Sequence, residues 1–460
     1  MTDKPKILFV AHNSIHSASF GGVEAYLNNL TKYLSDEFDV YWYVPGCTDD
    51  QNSIYLYGPD TNITQKISFN SVFTNWQLSC PEREATFAKV IQELKISLVH
   101  FHHLAKQPPN LVNIAKDNGV ATIFTIHDFY SICHISNLIN FEGKYCQPDT
   151  LVPADCDICL NKKYGIEPGS QAIRRAYWNN LFSDIDGLIF NTQGGFDLAA
   201  KIYPNVANHL NVEILPVAIE SIEIPKVEKR DSDELRVAIL GNFVHHKGAD
   251  VTLEVIQNLT GENISFHFFG EIEDIYEAKI KLSKNPNIYR YGKYPSGKLP
   301  IELFSCDVSL HASICPETYG LVLSESWAAG LVPIVSDIGA LGERVINGVN
   351  GLKVKVGSSY DLSKTLLKIL GNKRSLDLLK LPTLSLPLST YPYHAEKILD
   401  FYITTLKSLR SEKLVNFSKT ISNSKIAPHQ WVKIREYPQT RKMRWNFFKK
   451  LRLLIATLIS

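Results

Sequence analysis

The sequence predicts an α/β fold built from two Rossmann-like domains that face each other across a cleft. Three observations carry this expectation. Short apolar runs alternate with amphipathic helical patterns through most of the 460 residues, as in parallel sheets flanked by helices. The alternation is interrupted at 225–234 (PKVEKRDSDE), a charged stretch without apolar period that reads as an interdomain linker. Glycine-rich turns follow several of the apolar runs, at the strand ends where open α/β sheets bind ligands.

Taken in chain order, the strands expected in the first half are 6–11, 39–44, 98–101, 121–126, 188–191 and 212–215. Each is a short apolar run of the kind found in buried strands. The loop after the first run ends in Phe20-Gly21-Gly22-Val23-Glu24 and opens a helix at 25–34. Paired glycines let backbone approach a ligand closely, and the helix N-terminus behind them favours an anion. A second series of strands follows the linker, at 236–240, 265–269, 288–291, 308–310 and 332–335. The expected organisation is a first domain over 1–220 with a cysteine-containing insertion at 130–168, a linker at 221–234, and a second domain over 235–390. A helix at 391–412 and a tail at 413–460 complete the chain.

Composition narrows the function classes. The chain is 45% hydrophobic and 21% charged, ordinary values for a globular protein. A formal net charge of +1 offers no global field for nucleic acid. The opening MTDKPKILFVAHN holds too short an apolar run for a signal peptide, and no window reaches the roughly 18 apolar residues of a spanning helix. The expected compartment is cytoplasmic. The last 28 residues, 433–460, differ: eight Lys/Arg stand against the single acid Glu436, interleaved with Trp445, Phe447 and Phe448. They predict a basic amphipathic helix lying on an anionic membrane surface, a docked helix or an unstructured tail being the alternatives.

The densest chemistry lies in residues 316–351. Glu317 and Glu325 bracket seven residues that turn from loop into helix, with Thr318, Tyr319 and Gly320 at the expected helix start. Free N–H groups and the positive dipole end at such a start suit a phosphate. Leu321 opens an almost wholly apolar stretch around Glu325, so that carboxylate is expected to be buried and to need a partner, such as a ribose diol. Glu343 is expected in a glycine-punctuated loop beyond the next strand.

Other candidates sit at strand ends. Thr125-Ile126-His127-Asp128 closes one strand, and His100, His102 and His103 close the strand before it and are read as lining the cleft. Gly241-Asn242 with Lys247-Gly248 follows the first strand of the second half, where a compact lysine cation suits a phosphate. Gly270-Glu271 and Tyr291-Gly292 follow the next two strands. In the insertion, Cys133, Cys146, Cys156 and Cys159 include one C-x-x-C spacing. A structural zinc site, disulfides and free thiols are all open to them, with zinc favoured over disulfides in a reducing compartment.

These motifs, in this order, resemble the retaining glycosyltransferases of family 4 (glycosyl transferases group 1), over roughly residues 5 to 410. The resemblance implies the GT-B fold, a nucleotide-diphosphate (NDP) sugar as donor, and a hydroxyl of a glycan or lipid-linked glycan as acceptor. It implies catalytic roles for His127, Lys247 and Glu317. Gly21, Gly22, Asn242, Gly270, Thr318, Tyr319, Gly320, Leu321 and Glu325 would hold the donor. Transfer is expected to be retaining, by front-face substitution, with no metal or other cofactor for catalysis. The family carries an arginine where this chain has Asn242, so one fixed charge is missing, and His245 or His246 are the residues placed to compensate. Two rivals remain: a nucleotide-sugar-binding protein of the same fold with weak or no catalysis, supported by Asn242, and a nucleotide-sugar epimerase.

Overall fold

A computed structural model describes residues 4–409, except 14–20, 47–49, 51, 72, 221, 223, 226–232, 284, 296 and 384–387. The tail 413–460, its expected membrane contact and most of the linker lie outside the described residues. The first sheet comprises β1 (Lys6–Val10), β2 (Asp39–Pro45), β3 (Ser53–Tyr57), β4 (Ile63–Ser68), β5 (Leu98–Phe101), β6 (Ala121–Ile126), β7 (Gly187–Phe190) and β8 (Val212–Ile214). Their spatial order is β4-β3-β2-β1-β5-β6-β7-β8. All neighbours are parallel except β2 with β3 and β3 with β4. The parallel strands are apolar runs because helices cover both faces. β3 and β4 were not expected from sequence, for a physical reason: β4, ITQKIS, is an exposed edge strand and carries no apolar run.

The second sheet comprises β9 (Leu235–Leu240), β10 (Ile264–Phe269), β11 (Ile288–Gly292), β12 (Val308–His311), β13 (Val332–Ser336) and β14 (Leu352–Val354). Its order, β11-β10-β9-β12-β13-β14, is the doubly wound arrangement of a dinucleotide fold. The order reverses between β9 and β12, and in the first sheet between β1 and β5. Loops leaving these strand ends therefore line a crevice in each domain. The three-residue β14 is too short to register as a run in the sequence.

Apolar side chains fill both faces of each sheet. One first-domain cluster takes in Ile398, Leu399, Phe401 and Tyr402 from the helix Tyr391–Leu409, together with Tyr319 from the second domain. That helix returns from the second domain and is fastened to the first by polar bonds: His394 Nε2 to Tyr26 Oη at 2.7 Å, His100 Nδ1 to Tyr402 Oη at 2.7 Å, and Asn211 Nδ2 to Thr405 Oγ1 at 2.9 Å.

Candidate active site in the interdomain cleft

The second-domain wall is built on the end of β12. Ser313 and Glu317 leave that strand, and the Ser313 hydroxyl donates to Glu317 Oε1 at 2.6 Å. The other oxygen, Oε2, lies 2.6 Å from Lys247 Nζ. Burial works to raise the Glu317 pKa, but the Lys247 ammonium and the Ser313 hydroxyl overcome it and hold the carboxyl below its usual range. Lys247 arrives on a short 3-10 turn, His245–Lys247, ended by Gly248. Gly248 has φ of 80°, and a Cβ there would sit 2.0 Å from the Ala312 carbonyl oxygen, so only glycine lets this turn approach β12.

The helix that follows runs Leu321–Ala328 and is preceded by Gly320 in the left-handed region. Thr318 and Tyr319 thus lie in the loop before it rather than at the expected helix start. They face the first domain: Thr318 Oγ1 donates to the His127 carbonyl at 2.5 Å, and Thr192 Oγ1 donates to the Thr318 carbonyl at 3.1 Å. Tyr319 is buried beneath the Arg344 guanidinium, whose carbon lies 3.8 Å from the ring centroid. Leu321 faces the first domain as well, since a Cβ on Gly22 would meet its Cδ1 at 3.3 Å. Glu325 is half-buried and accepts from the Tyr294 hydroxyl at 2.5 Å; burial raises its pKa.

On the first-domain wall, Gly21 precedes the helix Gly22–Leu34 and donates its N–H to Glu24 at 2.9 Å. At the end of β6, the His127 ring lies 3.1 Å from His102 Nδ1, and burial lowers its pKa to about 3. The side chain is a neutral imidazole. Its neighbour Asp128 accepts from His103 Nε2 at 2.8 Å and from the Tyr130 N–H at 2.9 Å. Among the described residues, three buried atoms on this wall, His12 Nδ1, His102 Nε2 and Glu24 Oε1, have no hydrogen-bond partner, though Glu24 Oε1 lies 3.6 Å from His12 Nε2.

Several expectations change. His100 does not line the cleft: it is wholly buried and bonded to Tyr402 and Thr125. Gly270 lies tight against the backbone of Gly241, since a Cβ there would lie 2.1 Å from the Gly241 carbonyl oxygen. Tyr291 stacks on Phe269 with centroids 4.6 Å apart, and Glu271 pairs with Lys293 at 2.6 Å. Asn242 is exposed, and neither neighbouring histidine replaces the missing arginine charge. His245 bonds elsewhere, while burial lowers His246 to about 4 and leaves it neutral. Glu343 lies in a helix, Gly339–Arg344, not in a loop.

The four insertion cysteines are free thiols; burial, and after it the neighbouring thiols, raise the pKa of Cys133, Cys146 and Cys156. Among the described residues no group of three or more His, Cys, Asp or Glu is placed to hold a metal ion.

Sequence reading missed Arg344 and Tyr294. Arg344 donates to the carbonyls of Tyr319 at 2.9 Å and Gly320 at 3.1 Å, and to Ser324 Oγ at 2.6 Å, holding the loop that carries Glu317. Its position directly after Glu343 was the available signal. Tyr294 had none, being one tyrosine among 21.

Comparison with known proteins agrees with this architecture. Residues 220–380 match the family described as glycosyl transferases group 1, and residues 20–205 match glycosyltransferase family 4. An uncharacterized glycosyltransferase of Methanocaldococcus jannaschii is 22% identical over 371 residues, 80% of this chain and 90% of that protein. Among solved structures, a sucrose-phosphate synthase from Thermosynechococcus elongatus superposes with a TM-score of 0.63 at 14% identity, covering 88% of this chain and 100% of the other. Anabaena HepE in complex with UDP gives 0.57 at 16% identity, covering 87% and 100%.

Proposed function

We propose a reaction for this chain, which belongs to the group 1 glycosyltransferases of GT-B fold: retaining transfer of a sugar from an NDP-sugar to a hydroxyl of a glycan or lipid-linked glycan. One observation carries the reading. Glu317 and its Lys247 partner stand one residue from Thr318, whose side chain bonds the backbone of His127 on the opposite wall. The cation that suits a diphosphate and the histidine that suits a sugar thus share one cleft.

In this reading Lys247 neutralises the departing diphosphate, and Glu317 fixes the ammonium in place. Glu325 takes the ribose diol, exchanging the Tyr294 hydroxyl for it. The acceptor oxygen bonds to the anomeric carbon as the bond from that carbon to the diphosphate breaks, on the same face. The acceptor's proton passes to the leaving phosphate oxygen. Catalysis then rests on positioning and on stabilising the leaving group. Neutral His127 serves as a hydrogen-bond partner to the sugar rather than a cation, and His12 Nδ1 and His102 Nε2, which lack a hydrogen-bond partner among the described residues, supply further capacity. The HepE structures with UDP and UDP-glucose support a uridine nucleotide as the first donor to try.

Incubation with a panel of NDP-sugars, scoring free nucleotide diphosphate with and without acceptor, tests the reading. The rival classes separate cleanly: a binding protein releases none, and an epimerase changes the sugar without releasing nucleotide. Retention of anomeric configuration is read by NMR of the product. The basic tail is proposed to hold the enzyme at anionic membranes, each basic residue contributing about 1 kcal/mol near the surface. No helix among the described residues is long and apolar enough to cross a membrane. Deletion of 433–460 should release the protein from anionic vesicles while sparing donor hydrolysis. Failure of full-length protein to sediment with such vesicles at low salt ends that part of the proposal.

A further inference from the structure

His245 stands on the turn that carries Lys247, and it joins the two domains. Its Nδ1 lies 2.9 Å from Asp250 Oδ2, on the second-domain helix Ala249–Asn258. Its Nε2 lies 2.8 Å from the carbonyl oxygen of Gly143. Gly143 sits at the tip of a turn in the cysteine-bearing insertion of the first domain, between the bridged residues Ile139 and Tyr145. The approach requires glycine: φ at 143 is 79°, and a Cβ would stand 3.1 Å from His245 Nε2.

Both partners can only accept. A carbonyl oxygen has no proton to give. Asp250 is ionised, because hydrogen bonds from Lys279, His245 and Tyr276 outweigh its burial and lower its pKa to about 2. A neutral imidazole carries one N–H and can serve one of these acceptors; serving both takes two N–H groups and hence the imidazolium. The ring's surroundings agree with that state. The Gly143 carbonyl, then Asp250, raise the His245 pKa against burial and the Lys279 ammonium. Tyr276 and Lys279 approach only through Asp250, each 2.7 Å from it. Glu142 and Lys144, flanking Gly143, pair with each other at 3.6 Å. On the histidine's own turn, His246 is neutral and Lys247 is turned to Glu317.

We propose that His245 is a positioning residue, a clasp that holds the cysteine-bearing insertion against the Lys247 turn only while both its ring nitrogens carry protons. Loss of one proton as pH rises removes one of the two bonds. The insertion then comes away from the second domain, and the turn that carries Lys247 loses its lateral support. The functional consequence rests on Lys247 being the diphosphate cation; the clasp itself does not.

The test is hydrogen exchange by mass spectrometry on the full chain, corrected for the intrinsic pH dependence of exchange, from about pH 5.5 to about pH 9, a window that spans histidine titration. Protection of 138–146 should fall about five- to tenfold across the His245 titration in the wild type, the loss expected from one partly exposed charged bond. His245→Gln should lack the extra protection at every pH. His245→Arg, with a non-titrating fork of donors, should keep it throughout. NMR of labelled histidine in the wild type should show both ring nitrogens protonated at the low end of that window. A neutral ring there, or an unchanged pH step in His245→Gln, overturns the clasp. If exchange behaves as expected while nucleotide release is the same in all three proteins, the clasp stands and its support of the Lys247 turn in turnover falls.

Discussion

Glu325 illustrates how a side chain can be set against stability for the sake of binding. Its pKa is raised by burial, so over the interval between the ordinary carboxyl value and the raised one the folded state holds more protons than the unfolded. Stability then falls as pH rises through that interval, and the loss persists at neutral pH. Glu325→Gln keeps the shape and the Tyr294 bond but cannot titrate. It should melt higher than wild type at neutral pH while binding donor about ten- to a hundredfold more weakly, since hydrogen bonds to charged groups contribute roughly 1.5–3 kcal/mol. Equal donor affinity in a calorimetric titration removes Glu325 from the ribose site. Lys247→Ala acts with the opposite sign on stability. It strands the mostly buried Glu317 carboxylate, at a cost of about 1–3 kcal/mol once the partial exposure of the pair is allowed for, and lowers turnover more than donor affinity. Asn242 is exposed at the mouth of the same turn, so Asn242→Arg should leave activity intact or raise it. A large loss of turnover would show that the site is built differently and revive the binding-protein reading.

At the level of elements, the helix Leu321–Ala328 matters through how it begins. Gly320 has φ of 75°, and a Cβ there would meet Leu341 Cδ2 at 3.0 Å and Glu317 Oε2 at 3.5 Å. Gly320→Ala should therefore destabilise by about 1–2 kcal/mol from the left-handed backbone alone. It should also crowd Leu341 and so shift the turn that follows Glu317, seen as a lowered melting temperature together with weaker donor binding. A melting loss with unchanged donor affinity would confine Gly320 to a structural role. The block that contains this helix was legible in sequence because two carboxylates within an apolar stretch need partners. Where the helix starts was not, because the left-handed turn at Gly320 moves Thr318 and Tyr319 out of it and against the other domain.

For the whole molecule, the cleft is held closed by contacts that neither domain makes alone. Glu343 accepts the backbone N–H groups of Gln193 at 3.0 Å and Gly194 at 2.8 Å, at the start of the first-domain helix Gln193–Ile202. A carboxylate at a helix N-terminus contributes roughly 0.3–1 kcal/mol at an exposed site, so Glu343→Ala should shift the closure equilibrium about two- to fivefold. Small-angle scattering of the variant should show a more open molecule, and KM for donor should rise more than kcat falls. An unchanged scattering profile and KM would mean that Thr318 and the helix Tyr391–Leu409 hold closure without it.

The sequence by itself determined the two sheets, the order along the chain of every parallel strand but β14, and the loops that carry chemistry. Buried parallel strands must be apolar, and turns that approach backbone or phosphate must be glycine. Tertiary structure alone decided which residues meet. His127 and Thr318 are separated by 191 residues and touch through one backbone carbonyl, a group every residue carries. Arg344 acts through the carbonyls of Tyr319 and Gly320, and Glu343 through two backbone amides. None of these bonds depends on its partner's identity, so no pattern of residue types could announce them. The same holds for His245, whose role is set by a glycine carbonyl in the other domain.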